Sequence, residues 1–105
     1  VQDWMEEHHH ENLSIDRASE LFGFSDTGIK RRLKKATGLS FTQYLQAVRI
    51  ERSKRLLLST SMSVKEISYA VGYENQSFFI RLFKKLAGAT PRQYRTAIKS
   101  SMELG

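Results

Sequence analysis

The sequence has no cysteine, which excludes disulfides, thiolate chemistry and the usual zinc-finger ligand sets within its 105 residues. A reducing cytoplasm is the expected setting. Proline occurs once, at Pro91, and glycine six times, so long stretches contain nothing that interrupts a helix. No apolar run approaches the roughly 20 residues of a membrane span, and no basic start leads into an apolar stretch as in a signal peptide. There is no Gly-rich phosphate loop, no His-Glu-x-x-His helix and no nucleophile beside a placed base. Neither catalysis nor a cofactor is expected. The chain opens on Val1 instead of Met, and the expectation drawn from this is a fragment of a longer chain with an upstream domain.

Charge is unevenly spread. Residues 1–29 hold seven acids and one base, a sum of −6, whereas residues 30–99 hold sixteen bases and three acids, a sum of +13. The last six residues add −1 and close the net charge at +6. A basic body this dense points to a polyanionic partner, most commonly nucleic acid. The run His8-His9-His10 invites a metal reading. Consecutive histidines on a helix splay through about 200° and cannot converge on one ion. They are expected to be solvated, with no metal held.

The stretch Phe41–Leu58 organises the rest. Phe41, Tyr44, Leu45 and Val48 follow a helical +3, +4, +7 spacing, Ile50 and Leu57 lie seven apart, and Ser40 is placed to cap the first turn. Arg49, Arg52, Lys54 and Arg55 are expected to wrap this rod in positive charge. Its eighteen residues span about 27 Å, near the roughly 34 Å between successive major-groove turns on one face of DNA.

On either side lies a similar device. A first helix over residues 1–10 places Trp4 and Met5 inward. Ser14 caps a helix from Ile15 to Phe22 with Ile15, Ala18 and Leu21 facing in, and Gly23 ends it. Ser25 caps the next, Asp26 to Ala36, with Ile29 and Leu33 inward, Lys30, Arg31, Arg32, Lys34 and Lys35 outward, and Gly38 closing it. After the rod, Ser63 caps a helix from Val64 to Val71 with Val64, Ile67, Ala70 and Val71 inward, and Gly72 ends it. Asn75 then caps Gln76 to Leu86, with Phe79 and Phe83 inward and Gly88 at the close. A tail helix starts at Pro91 after the Thr90 cap and runs to about Ser100, with residues 101–105 fraying.

Both devices have the helix-turn-helix pattern, whose second helix enters the major groove. With one extra residue in the second turn, positions agree at an offset of fifty: Ile29 with Phe79, Arg31 with Arg81, Leu33 with Phe83, Gly38 with Gly88, and Gln43-Tyr44 with Gln93-Tyr94. Phe41, Tyr44, Phe79, Phe83 and Tyr94 are expected in the core, not as base-stacking platforms.

Two segments, FSDTGIKRRLKKATGLSFTQYLQAVRIERSKRLL and SVKEISYAVGYENQSFFIRLFKKLAGATPRQYR, resemble the DNA-binding domain of the AraC/XylS transcription regulators over roughly Leu13 to Arg95. The resemblance implies an all-α fold of seven helices, with two helix-turn-helix subdomains joined by a long linker helix. In residues, it implies a first helix and helix-turn-helix over 1–39, the linker over 40–58, and a second helix-turn-helix and tail over 59–105. It implies sequence-specific binding of double-stranded DNA in two adjacent major-groove segments by a bacterial regulator, most often an activator contacting RNA polymerase. Carried over by position, the base-contacting candidates are Thr27, Lys30 and Arg31 in the first lobe and Gln76, Ser77, Ile80 and Arg81 in the second. Arg31 and Arg81 offer a fork suited to guanine, and Gln76 an amide suited to adenine. Phosphate contacts are expected from Arg32, Lys35, Asn75, Lys84, Arg92 and Arg95.

The sequence departs from the family pattern in two places. Gly28 and the short Thr27 leave little side chain on the first recognition helix, pointing to fewer base contacts there or more use of backbone. Ile80 is apolar where the family is often polar, and either meets a thymine methyl or packs. A module that only binds an acidic protein would be indifferent to DNA sequence and would need no repeat at fifty residues.

Overall fold

The computed structural model describes residues 1–104, and the side chains of residues 1–101. Seven helices and no strand occur among the described residues: α1 (Gln2–Glu7), α2 (Ile15–Phe22), α3 (Asp26–Thr37), α4 (Phe41–Ser59), α5 (Val64–Ala70), α6 (Gln76–Ala87) and α7 (Pro91–Leu104). Helix starts are fixed by side chains that satisfy N–H groups the helix leaves unpaired. Ser14 accepts from the Arg17 N–H, Ser25 from Gly28, Ser63 from Glu66 and Asn75 from Phe78. At α4 the exchange is reciprocal: Gln43 N–H donates to Ser40 Oγ at 3.2 Å, and Ser40 N–H donates to Gln43 Oε1 at 3.0 Å. Thr90 and Gln93 repeat that box at α7. The offset of fifty therefore extends to the caps. Gly23, Gly38 and Gly88 end α2, α3 and α6 at φ of 71°, 75° and 83°, backbone that a side chain strains.

The chain divides into two compact units, Val1–Val48 and Arg49 onward, with the division inside α4. The first unit buries Met5, Ala18, Ile29, Leu33, Phe41 and Leu45, with Trp4, Leu13, Ile15 and Tyr44 packed around them. The second buries Ile50, Leu57, Ile67, Val71, Tyr73, Phe79, Leu82 and Phe83, with Met62, Val64, Ile80 and Tyr94 against them. Phe41, Phe79 and Phe83 are buried and Tyr44 and Tyr94 half-buried, as expected of core aromatics.

Some expectations of facing are corrected. Leu21 is 59% exposed, because steps of three along α2 drift about 60° each. Phe22, four residues beyond Ala18, stays nearer the inner face and meets Trp4 edge-on with centroids 5.8 Å apart. Ala70 is likewise exposed, and Ser68 is buried in its place, its Oγ donating to the Tyr73 carbonyl at 2.9 Å. Arg49 is buried at 9% exposure instead of wrapping α4 in charge. The histidines lie beyond α1: His8 pairs with Glu11, and His9 Nδ1 lies 2.9 Å from the Glu6 carbonyl. No group of side chains suited to a metal ion occurs among the described residues. The tail helix runs on past Ser100 to Leu104, and the expected fraying at Gly105 lies outside the described residues.

Candidate nucleic-acid interface

In the first unit α2 and α3 meet across the turn Gly23-Phe24-Ser25, a helix-turn-helix closed by a polar lock. Ser19 Oγ on α2 donates to Asp26 Oδ1 at the first turn of α3 at 2.5 Å. This bond holds the Asp26 carboxyl below the usual aspartate range, while the hydrogen bond and repulsion from Asp26 push neighbouring Asp16 up. Core-facing Ile29 and Leu33 leave the opposite face of α3 to solvent, and Thr27, Lys30 and Arg31 are all exposed there. The nearby Lys30 charge works to lower both carboxyls, against the rise at Asp16 and with the fall at Asp26. Arg32 leans over the Phe24 ring with its guanidinium carbon 3.9 Å from the centroid, and Lys35 is exposed. Gly28 has a local reason that the sequence did not reveal. Its N–H fills the Ser25 cap at 3.0 Å, and an added Cβ would sit 3.2 Å from that same Oγ.

The second unit presents α6 differently. Phe79, Leu82 and Phe83 face the core, so Gln76, Ser77, Ile80, Arg81 and Lys84 fall on the other side, spaced i, i+1, i+4, i+5 and i+8. Ser77, Arg81 and Lys84 are exposed, and Gln76 and Ile80 half-buried. No acid occupies the first turn of α6, whereas Asp26 occupies that of α3. An open groove of about 390 Å³ brings Gln76 and Ile80 together with Val64 and with Thr90, Pro91 and Arg92 at the start of α7. Ile80 thus packs on the core, one of its two expected roles, and its remaining surface lines the groove wall.

Asn75 and Arg95 each have work inside the fold. Asn75 Oδ1 caps α6 at 3.0 Å from the Phe78 N–H, leaving its amide NH2 to donate outward. Arg95 is half-buried, its Nε donating to the Leu57 carbonyl at 2.9 Å and Nη2 to that of Thr60 at 3.3 Å, so it closes the C-terminal end of α4. Arg92 is exposed beside the groove. Sequence reasoning overlooked Val64 and the Thr90-Pro91 turn as groove walls. The signal available was Pro91 itself, which fixes where α7 begins.

Two helix-turn-helix units, each with a solvent-facing second helix and a basic flank, define a DNA-binding domain. The family described as helix-turn-helix domain matches residues 10–97, and the chain belongs to it, in the AraC-type branch. An uncharacterised HTH-type transcriptional regulator of Staphylococcus aureus is 34% identical over 95 residues, covering 90% of this chain and 13% of that protein. The chain therefore spans only a small part of such a relative. Among solved structures, the C-terminal domain of AraT, a response regulator from Geobacillus stearothermophilus, superposes with a TM-score of 0.86 at 33% identity, covering 91% of this chain and 80% of that one. The DNA-binding domain of AdpA, the global transcriptional factor, solved in complex with a target DNA, gives a TM-score of 0.90 at 26% identity, covering 98% and 93%. This chain is a DNA-binding domain of the kind carried by bacterial transcription regulators. No helix among the described residues is long and apolar enough to cross a membrane.

Proposed function

We propose that the chain reads one double-stranded DNA site through α3 and α6 in two adjacent major-groove segments, with residues 1–39, 40–58 and 59–105 acting as first lobe, linker and second lobe. The observation that carries this reading is the paired exposure of Arg31 and Arg81 at equivalent positions on the two second helices. Gln76, Ser77, Ile80 and Arg81 do most of the base reading. Their helix begins without a carboxylate, which favours approach to phosphates, and it carries an amide, a hydroxyl, a methyl-bearing chain and a guanidinium on one face. Thr27, Lys30 and Arg31 read less and anchor more: α3 carries five bases, and its first turn holds Asp26, Thr27 and Gly28. Arg32, Lys35, Asn75, Lys84 and Arg92 supply phosphate contacts, and Arg95 acts through its hold on α4.

The acidic flank serves another purpose. Asp16, Glu20 and Leu21 line an open groove with Asn12, Ser14 and Arg17, and its acids disfavour phosphate. That face suits a protein partner, and RNA polymerase is the partner an activator would use. The domain works in the bacterial cytoplasm as part of a longer regulator bearing an effector-sensing or dimerisation domain.

The test is selection from a pool of random duplex DNA by the chain at about physiological salt, where nonspecific binding is weak. Two short motifs about one helical turn apart are expected. A single half-site would leave α6 as the only reader, and no enrichment would overturn the proposal.

A further inference from the structure

The residue that stands out in the second unit is a charged one without an assigned task. Arg49, on α4, is only 9% exposed, a costly position for a guanidinium unless its surroundings repay the desolvation. Its guanidinium carbon lies 4.8 Å from the centroid of the Tyr73 ring. The backbone of Gly72 passes directly beside it. A Cβ at Gly72 would sit 3.0 Å from the Arg49 guanidinium carbon and 3.0 Å from Nη2, so the glycine makes room for this arginine as well as supplying φ of 102°.

Gly72 and Tyr73 form the turn between α5 and α6. Tyr73 is tied to α5 twice, its N–H donating to the Ser68 carbonyl at 2.9 Å and its carbonyl accepting from Ser68 Oγ at 2.9 Å. On the other side its ring meets Phe78 and Phe79 of α6, with centroids 5.7 and 5.9 Å apart. A chain of contacts thus runs from Arg49 through the Tyr73 ring to the first turn of α6, next to Gln76 and Ser77.

We propose that Arg49 is a positioning residue for DNA readout: lying over the Tyr73 ring and seated against Gly72, its planar guanidinium fixes the angle at which α6 presents Gln76, Ile80 and Arg81. This goes beyond the assignment of the reading residues and rests on α6 being a reader. A flat group fixes the ring plane as an ammonium or a thioether cannot.

The experiment uses the 105-residue chain, with the motif enriched from the randomised duplex pool as probe and the unselected pool as competitor. The variants are Arg49→Lys, which keeps the charge, Arg49→Met, which keeps a long stem, and Arg81→Ala as the direct reader control. Helical circular dichroism confirms the fold of each. Both Arg49 variants are expected to lose about tenfold or more in preference for the motif over the pool, at the same base positions as Arg81→Ala. Their binding to the unselected pool should change far less. Failure of Arg49→Lys to rescue separates orientation from charge.

An unchanged preference in folded Arg49 variants overturns the proposal. So does a loss equal for all sequences, which would make Arg49 a source of charge, or failure of both variants to fold, which would make it a folding requirement. If Arg81→Ala itself leaves the preference profile intact, the reading role of α6 falls first and takes this proposal with it. That outcome is distinguishable because the control bears on α6 without touching Arg49.

Discussion

The two units follow one template, and their differences show how a repeat divides its labour. At equivalent positions the first unit has Ile29 and Leu33 where the second has Phe79 and Phe83. The second core is consequently a string of rings, with Phe79 and Phe83 centroids 6.0 Å apart and Phe83 meeting Tyr94 edge-on at 5.5 Å. The first core is mainly aliphatic and is completed by α1, whose Met5 is fully buried and whose Trp4 packs on Phe22. The turns differ in the same sense. One added residue lets Tyr73 turn inward to 9% exposure, while Phe24 stays out at 37% and stacks on Arg32. The first turn is closed instead by the part-buried Ser19–Asp26 hydrogen bond. These differences support the proposed division, with α6 as the reader and α3 as the anchor.

The largest effect that sharpens this contrast is in the cores. Phe83→Ala should cost about 3–5 kcal/mol of stability, and Leu33→Ala, which removes less volume, about 2–3 kcal/mol. Urea unfolding of both variants reads the difference. Equal costs would mean that the ring string adds nothing beyond the aliphatic core.

The next effect is in binding. Arg81→Ala should lose about 1–3 kcal/mol on the selected site and relax preference at one or two positions. Arg31→Ala should weaken all sequences more evenly, and a position-specific loss there would erase the division between reader and anchor. Lys84→Ala provides the phosphate reference: a uniform loss and a plot of log K against log salt shallower by about one unit.

A smaller effect separates Tyr44 from its counterpart Tyr94. The Tyr44 hydroxyl donates to Glu6 Oε1 at 3.0 Å, tying α4 to α1, whereas Tyr94 meets Phe83 through its ring. Tyr44→Phe should cost about 0.5–1 kcal/mol, and Tyr94→Phe close to none. Burial, with help from Glu6, pushes the Tyr44 phenol up to about 12. A folded value above the unfolded one means that this contribution is whole below about pH 10 and fades as pH rises toward 12. Ultraviolet titration of the chain and of Tyr44→Phe would show it; a Tyr44 that ionises in the ordinary range removes the strut.

Sequence alone reveals the caps and little of the tertiary choices. Ser14, Ser25, Ser63 and Asn75 start helices where they were expected to, since a cap is decided within four residues. Leu21 and Ala70 were misplaced because helices of two turns offer more than one apolar stripe, and only the neighbouring helices choose between them. Arg49 was hidden by its own charge. Phe41, Leu45, Arg49, Ser53 and Leu57, spaced every four residues, are all buried, a stripe visible in the sequence once polar members are allowed. Ser53 joins it by donating to the Ile50 carbonyl at 2.6 Å. The positions of the candidate readers on α3 and α6 were legible from helical period, but the inward turn of Arg95 was not, because its partners lie 38 and 35 residues away.

The smallest expected effect concerns the boxes that start three of the helices. Ser40–Gln43 and Thr90–Gln93 close with an uncharged amide, whereas Ser63–Glu66 at α5 closes with a carboxylate. The Ser63 backbone and hydroxyl hold Glu66 below the usual glutamate range. A depressed carboxylate contributes above its unfolded value and loses that contribution as pH falls through its folded one. Amide exchange protection at Ser63 should accordingly weaken as the solution is acidified through the glutamate range, while that at Ser40 and Thr90 holds. Glu66→Gln should make the three boxes alike, with protection at Ser63 independent of pH across that window. If protection at Ser63 stays level in the unmodified chain, the carboxylate adds nothing to the start of α5 that an amide does not. The Ser63 box of the second unit would then start its helix just as the Ser40 box of the first does.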